Sequence, residues 1–258
     1  MDNLIIIKLG GSAITVKEKR FTAREDVIQK AAKNIKTILE RNWKIILIHG
    51  GGSFGHPVAK QYDTQAGLKN TFESRKGYLL TRLAMLKLDE IVTKIFLEEG
   101  VPVAPLHTSC LAVASNGILK ELYSEPIRLA LSKGFIPLLQ GDVVLDLDKG
   151  FSIVSGDQIA FFLTKMFKPK IVVFGLDVKG LYTRPPYHPQ AKLIKKLSKS
   201  LNICSEVKTI DVTGGIISKI KYAFKIRELG SQVYFCSLLD NSLLQIVNGE
   251  EGEYTEIL

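Results

Sequence analysis

Two apolar runs each end in a cluster of glycines, and this pairing constrains the fold more than any other feature of the chain. Residues 4–9 read LIIIKL and lead into Gly10-Gly11-Ser12. Residues 44–49 read KIILIH and lead into Gly50-Gly51-Gly52-Ser53-Phe54-Gly55-His56. Short runs rich in isoleucine, with no two-residue alternation, read as strands buried on both faces, as in parallel sheets. Further runs of this kind lie at 101–106, 135–139, 170–176 and 232–236.

Helical spacing fills the gaps. Thr22-Ala23-Arg24-Glu25 fits a capping box, followed by Ile28, Ala32, Ile35 and Leu39 on one face. A second stripe runs through Leu80, Ala84, Leu88, Ile91 and Ile95. A third follows Gly214-Gly215, with Ile217, Ile220 and Phe224 inward and Gly230 as its stop. Two hairpins interrupt the alternation, one turning at Asn116-Gly117 and one near Asp148-Lys149-Gly150. The order predicts an α/β fold, a three-layer αβα sandwich with a mainly parallel central sheet and β-hairpin insertions. A chain of 258 residues suits one such domain. Residues 1–165 and 166–258 would form its two halves on a continuous sheet.

The net charge is +9, yet the lysines are scattered rather than clustered with aromatics, which argues against a nucleic-acid binder and for a surface that attracts anionic substrates. Cys110, Cys204 and Cys236 lie far apart with no C-x-x-C, so neither a zinc site nor a disulfide framework is expected. The sparse cysteines, the start without a basic n-region and the lack of an 18-residue apolar stretch predict a cytoplasmic protein with no membrane partner.

Chemistry concentrates where strands end in glycine, since open α/β sheets bind ligands beyond the carboxyl ends of their strands. Lys8 stands in an apolar strand just before Gly10 and Gly11, where an unpaired charge is expensive. The run 49–56 satisfies G-x-G-x-x-G, but the dinucleotide fold wants an acid about 20 residues on at a strand end, and Glu73 sits in a polar, loop-like stretch. It also nearly fits the P-loop, with His56 and Pro57 replacing the lysine and the hydroxyl residue. What survives is a glycine-lined anion cradle capped by an imidazole. Asp211-Val212-Thr213-Gly214-Gly215 opens the helix carrying Lys219, and helix N-termini favour phosphate. Ser155-Gly156-Asp157 opens another helix, and Asp177 follows the strand 170–176. A carboxylate among lysines would orient them. Glycine cradles and lysines, with no nucleophile–base pattern, point to phosphoryl transfer, which needs positioning and charge neutralisation more than covalent chemistry.

These segments, in this order and over nearly the whole chain, resemble the amino acid kinase superfamily: K-L-G-G-S at 8–12, the glycine run at 49–56, S-G-D at 155–157, D-V-x-G-x-Y at 177–182 and T-G-G-x-x-x-K at 213–219. Within it, G-G-S-A-I-T-x-K at 10–17 and H-G-G-G-S-F-G-H at 49–56 resemble the isopentenyl phosphate kinases, which make isopentenyl diphosphate and ADP from isopentenyl phosphate and ATP on the route to isoprenoids. The resemblance implies that Lys8 and Lys219 hold the transferring phosphoryl group and that Lys17 binds ATP phosphate, Lys19 being a rival two positions on. Gly10, Gly11, Ser12 and Gly214 would line the nucleotide phosphate path, and Asp177 would belong to the nucleotide loop. Gly51, Gly52 and Gly156 would contact substrate and transferred phosphate. His56 would bind the acceptor's own phosphate, and Asp157 would orient the lysines. Tyr78, with Leu79 and Leu83, would line the pocket for the isoprenoid tail. ATP with Mg²⁺, and a homodimer, are implied too. A kinase of another small phosphate or phosphonate, such as fosfomycin, is the near alternative; a nicotinamide-dependent oxidoreductase is the distant one.

Overall fold

The computed structural model describes residues 3–199 and 214–258. The strand β1 (Leu4–Leu9) leads through the short helix α1 (Gly11–Ile14) to α2 (Glu25–Glu40). Next come β2 (Lys44–His49), α3 (Gly52–Gln61), the long α4 (Phe72–Glu98) and β3 (Val103–Pro105). A short helix α5 (Thr108–Leu111) precedes the hairpin β4 (Ala112–Ser115)–β5 (Ile118–Leu122). Then follow α6 (Glu125–Ser132), β6 (Ile136–Gln140) and the hairpin β7 (Asp142–Asp146)–β8 (Gly150–Val154). The remaining elements are α7 (Gly156–Phe167), β9 (Ile171–Leu176), β10 (Lys196–Leu197), α8 (Gly214–Glu228), β11 (Gln232–Ser237), α9 (Ser242–Asn248) and β12 (Thr255–Ile257).

Among the described residues, eight strands form one sheet in the order β10-β12-β11-β9-β1-β2-β6-β3, parallel except where β12 runs antiparallel to β11. The two hairpins join through parallel β4 and β7 into a second, four-stranded sheet, a union their turns alone did not predict. Every residue of β1 is buried, and successive side chains enter different layers. Ile5, Ile7 and Leu9 pack with α2, α3 and α4. Leu4 and Ile6 pack with α6, α7 and α8. Two covered faces explain why the sequence of β1 does not alternate.

The Asn116-Gly117 turn has positive φ at both residues, as a two-residue hairpin of this hand requires. The run 101–106 contributes only Val103–Pro105, since prolines at 102 and 105 cannot donate to a ladder. The capping box at Thr22 does not form. Ala23 bridges Thr15 as a strand and the Arg24 N–H donates to Ile14, so the chain is held extended until Glu25 opens α2. Cys204, Asp211 and Thr213 lie outside the described residues. Among the described residues no helix is long and apolar enough to cross a membrane.

Candidate active site

The carboxyl ends of β1 and β2, neighbours in the sheet, bring two glycine turns back to back. A Cβ on Gly11 would lie 2.4 Å from the Gly52 amide nitrogen, and Gly52 adopts φ +46°, so neither turn accommodates a side chain. Thr15 ties them together: its hydroxyl donates to the Gly11 carbonyl (2.7 Å) and accepts the Ser53 N–H (2.9 Å). Pro57 leaves one carbonyl of α3 without its helical partner, and the Phe21 N–H donates to Ser53 O instead (3.2 Å).

Lys8 points from β1 toward the start of α7. Its Nζ lies 2.7 Å from Asp157 Oδ1, and Lys219 Nζ of α8 lies 3.4 Å from Asp157 Oδ2. Ser155, not Asp157, caps α7, its hydroxyl accepting the Gln158 N–H. That leaves the carboxylate free to hold both lysines. Burial lowers the Lys8 pKa to about 8, with Lys219 adding to the depression and Asp157 opposing it. Burial opposes the charged form of Asp157 as well, but the Lys8 and Lys219 charges prevail and hold its carboxyl below the usual range. His56 is exposed, near the start of α3. The protein around its ring, then the Lys219 and Lys8 charges, keep its pKa below the ordinary histidine value.

One cavity of about 610 Å³ unites these groups. Its lining includes Lys8, Gly11, Ser12, Lys17, Gly51, Gly52, His56, Gly156, Asp157 and Lys219. Lys17 rather than Lys19 faces it. Gly10 does not line it; its N–H donates to Gly175 O of β9 (2.9 Å), and a Cβ there would meet that oxygen at 2.4 Å. Asp177 is also outside the lining, whereas Gly215, the neighbour of Gly214, belongs to it. Beyond the cations the walls turn apolar with Met85, Val143, Ile153 and Val154.

The expected tail residues need correction. Leu79 and Leu83 face solvent, more than half exposed, because they project from the outer side of α4. Tyr78 shares the inner face with Thr81 and Met85, but its ring packs on Phe151 at 5.5 Å, outside the cavity lining. Val143 and Ile153 face each other across the β7–β8 hairpin, and only the packing of that hairpin against α4 brings them to the cavity, which local spacing does not show. Asp142, which also lines the cavity, is paired with Arg82 of α4; burial pushes its carboxyl up to about 7 against that pairing. Glu73 lies in the first turn of α4 and ends no strand, so the acid of a dinucleotide fold is missing from its place.

The model of the amino acid kinase family matches residues 3–237. An isopentenyl phosphate kinase of Methanothermobacter thermautotrophicus is 35% identical, with 98% of each chain covered. The chain belongs to the amino acid kinase family, in its isopentenyl phosphate kinase branch. A solved isopentenyl phosphate kinase superposes with a TM-score of 0.85 at 31% identity, covering 99% of this chain and all of the other. The product complex of the Thermoplasma acidophilum isopentenyl phosphate kinase gives 0.83 at 27% identity, again over 99% of this chain.

Proposed function

We propose that the chain transfers the γ-phosphoryl group of ATP directly to isopentenyl phosphate, giving isopentenyl diphosphate and ADP. The observation that carries this reading is the union, in one cavity, of the Lys8–Asp157–Lys219 cluster, the glycine cradle with His56, and an apolar end. The acceptor's phosphate would rest on the Gly51 and Gly52 N–H groups and His56. A phosphomonoester has its second pKa near 6, so at neutral pH its oxygen is already a nucleophile and no general base is needed. The difficulty is to bring two polyanions together. Lys8 and Lys219 neutralise the transferring group, Asp157 holds them in place, and Lys17, Gly11 and Ser12 receive the nucleotide phosphates. Gly10 keeps β1 close to β9. Gly156 admits the Lys8 stem, since a Cβ at that position would lie 3.0 Å from Lys8 Cε.

Among the described residues no group of three His, Cys, Asp or Glu side chains converges as a metal site. Mg²⁺ would be carried on the nucleotide's own phosphates, where it would neutralise charge beside Lys8, Lys17 and Lys219. Gly214 and Asp177 would border the nucleotide, with the acceptor held by residues 1–165 and the ATP, apart from its phosphates at Gly11, Ser12 and Lys17, by residues 166–258. A homodimer in the cytoplasm completes the proposal, which sedimentation and fractionation would test. The deciding experiment is an ADP-release assay across isopentenyl phosphate, dimethylallyl phosphate, fosfomycin, acetylglutamate and UMP. Isopentenyl phosphate should give the highest kcat/KM; preference for acetylglutamate or UMP would overturn the reading.

A further inference from the structure

His49 ends β2 and hands the chain to the glycine cradle. Its ring is fully buried. Nε2 lies 3.2 Å from Asp89 Oδ1 of α4, and Nδ1 lies 3.2 Å from the Gly50 carbonyl oxygen. The other Asp89 oxygen lies 3.9 Å from His107 Nδ1, which is 3.1 Å from Gln140 Nε2 at the end of β6. The His49 carbonyl accepts the Gly141 N–H (3.0 Å). The polar chain thus joins α4, the cradle and the next strand of the sheet.

Around it the layer is apolar, with Leu47, Ala84, Leu88 and Val92. A buried carboxylate–imidazole pair there is hard to explain by stability, because a well-packed apolar pair would serve as well or better. It is explained by aim. Only acceptors face the two ring nitrogens, the Asp89 carboxylate at Nε2 and the Gly50 carbonyl at Nδ1, so the N–H that the ring presents is drawn to these two groups and the ring is fixed between them. The ring in turn fixes the peptide at Gly50, from which the acceptor cradle departs.

We propose that Asp89 is a positioning residue: through His49 it sets the orientation of the Gly50–Gly52 backbone, and with it the place of the acceptor's phosphate. The inference rests on the assignment of that cradle to the acceptor. Asp89→Leu removes the contact, whereas Asp89→Asn keeps an oxygen that accepts from Nε2. Steady-state kinetics should show kcat/KM for isopentenyl phosphate at least tenfold lower in Asp89→Leu, KM for ATP within twofold of wild type, and near-normal values in Asp89→Asn. Equal losses toward both substrates, the same loss in both variants, or no loss in Asp89→Leu would overturn it. If Asp89→Leu does not fold, Asp89→Ser, too short to reach Nε2, takes its place under the same criteria. A wild-type enzyme idle with isopentenyl phosphate would mark failure of the acceptor assignment instead. The inference is then decided by titrating inorganic phosphate against the Gly51 and Gly52 amide resonances: weaker binding in the Leu or Ser variant but not in Asn supports it, and equal binding in all refutes it.

Discussion

The Lys8 ammonium and the Asp157 carboxylate stand 2.7 Å apart, each side chain only 5% exposed. Lys8 belongs to the central strand and Asp157 to the helix that follows β8, so the pair fixes the first turn of α7 against the sheet. Lys219 shares the same carboxylate from α8. Three elements thus place two cations beside the glycine turns.

Removing the shared carboxylate leaves two cations facing each other, Lys8 buried and Lys219 partly so. Asp157→Ala is expected to lower kcat by at least about a hundredfold, the scale of losing one preorganised electrostatic group. Breaking a buried pair also costs about 3–5 kcal/mol of stability. Stopped assays and thermal melting measure the two effects. Lys8→Ala and Lys219→Ala should depress kcat more than ATP affinity, and near-normal turnover in both would remove their role in transfer.

The lowered pKa of Lys8 gives activity and stability opposite slopes. Activity needs the protonated amine, so kcat/KM should decline as pH rises through about 8. Bound phosphates favour the charged form, so the decline in kcat should lie at higher pH. For stability the sign reverses. Between about 8 and the free-lysine value of 10.5 the unfolded chain binds more of this proton, so this group adds stability as pH rises. Lys8→Arg, which stays charged, should abolish the alkaline decline in whatever activity it retains. A rate profile flat from pH 7 to 10 in the wild type would contradict this.

Much of this was legible in the chain. Lys8 in an apolar strand announced a buried partner, and Ser155-Gly156-Asp157 supplied one. The strand ends marked the cavity because glycine is required wherever β1 and β2 turn toward each other. The tail pocket was not legible: α4 shows its stripe, but only the packing of the β7–β8 hairpin against α4 decides which hairpin residues meet it. The His49–Asp89 pair was hidden for the same reason, since 40 residues separate partners that only the layer packing brings together. Local spacing also misled at Thr22, where the bridge of the next residue, Ala23, to Thr15 overrode a capping pattern.

His56 sits on the cradle side of the cavity, and its lowered pKa makes the neutral ring the main form at pH 7. A neutral imidazole still donates one hydrogen bond to a phosphate oxygen. His56→Ala should therefore raise KM for isopentenyl phosphate about tenfold or more while KM for ATP stays within twofold, and His56→Gln, which keeps a donor, should recover part of the loss. A rise confined to the KM for ATP would place the ring on the nucleotide instead, and equal changes in both constants would remove its selective role.

Chain-length preference should reside in the hairpin sheet rather than in the outer face of α4. Ile153 of β8 and Val143 of β7 form the apolar wall opposite Met85. Ile153→Ala removes three methyl or methylene groups from that wall and lengthens the space available to a tail. A five-carbon tail then loses contacts worth roughly 0.8 kcal/mol per buried methylene, whereas a ten-carbon tail gains room. The ratio of kcat/KM for geranyl phosphate to that for isopentenyl phosphate should rise at least tenfold. Leu83→Ala, at a position 53% exposed, serves as the control and should leave the ratio unchanged. If Leu83→Ala shifts the ratio and Ile153→Ala does not, the tail lies along the outer side of the helix and the cavity wall has been misread.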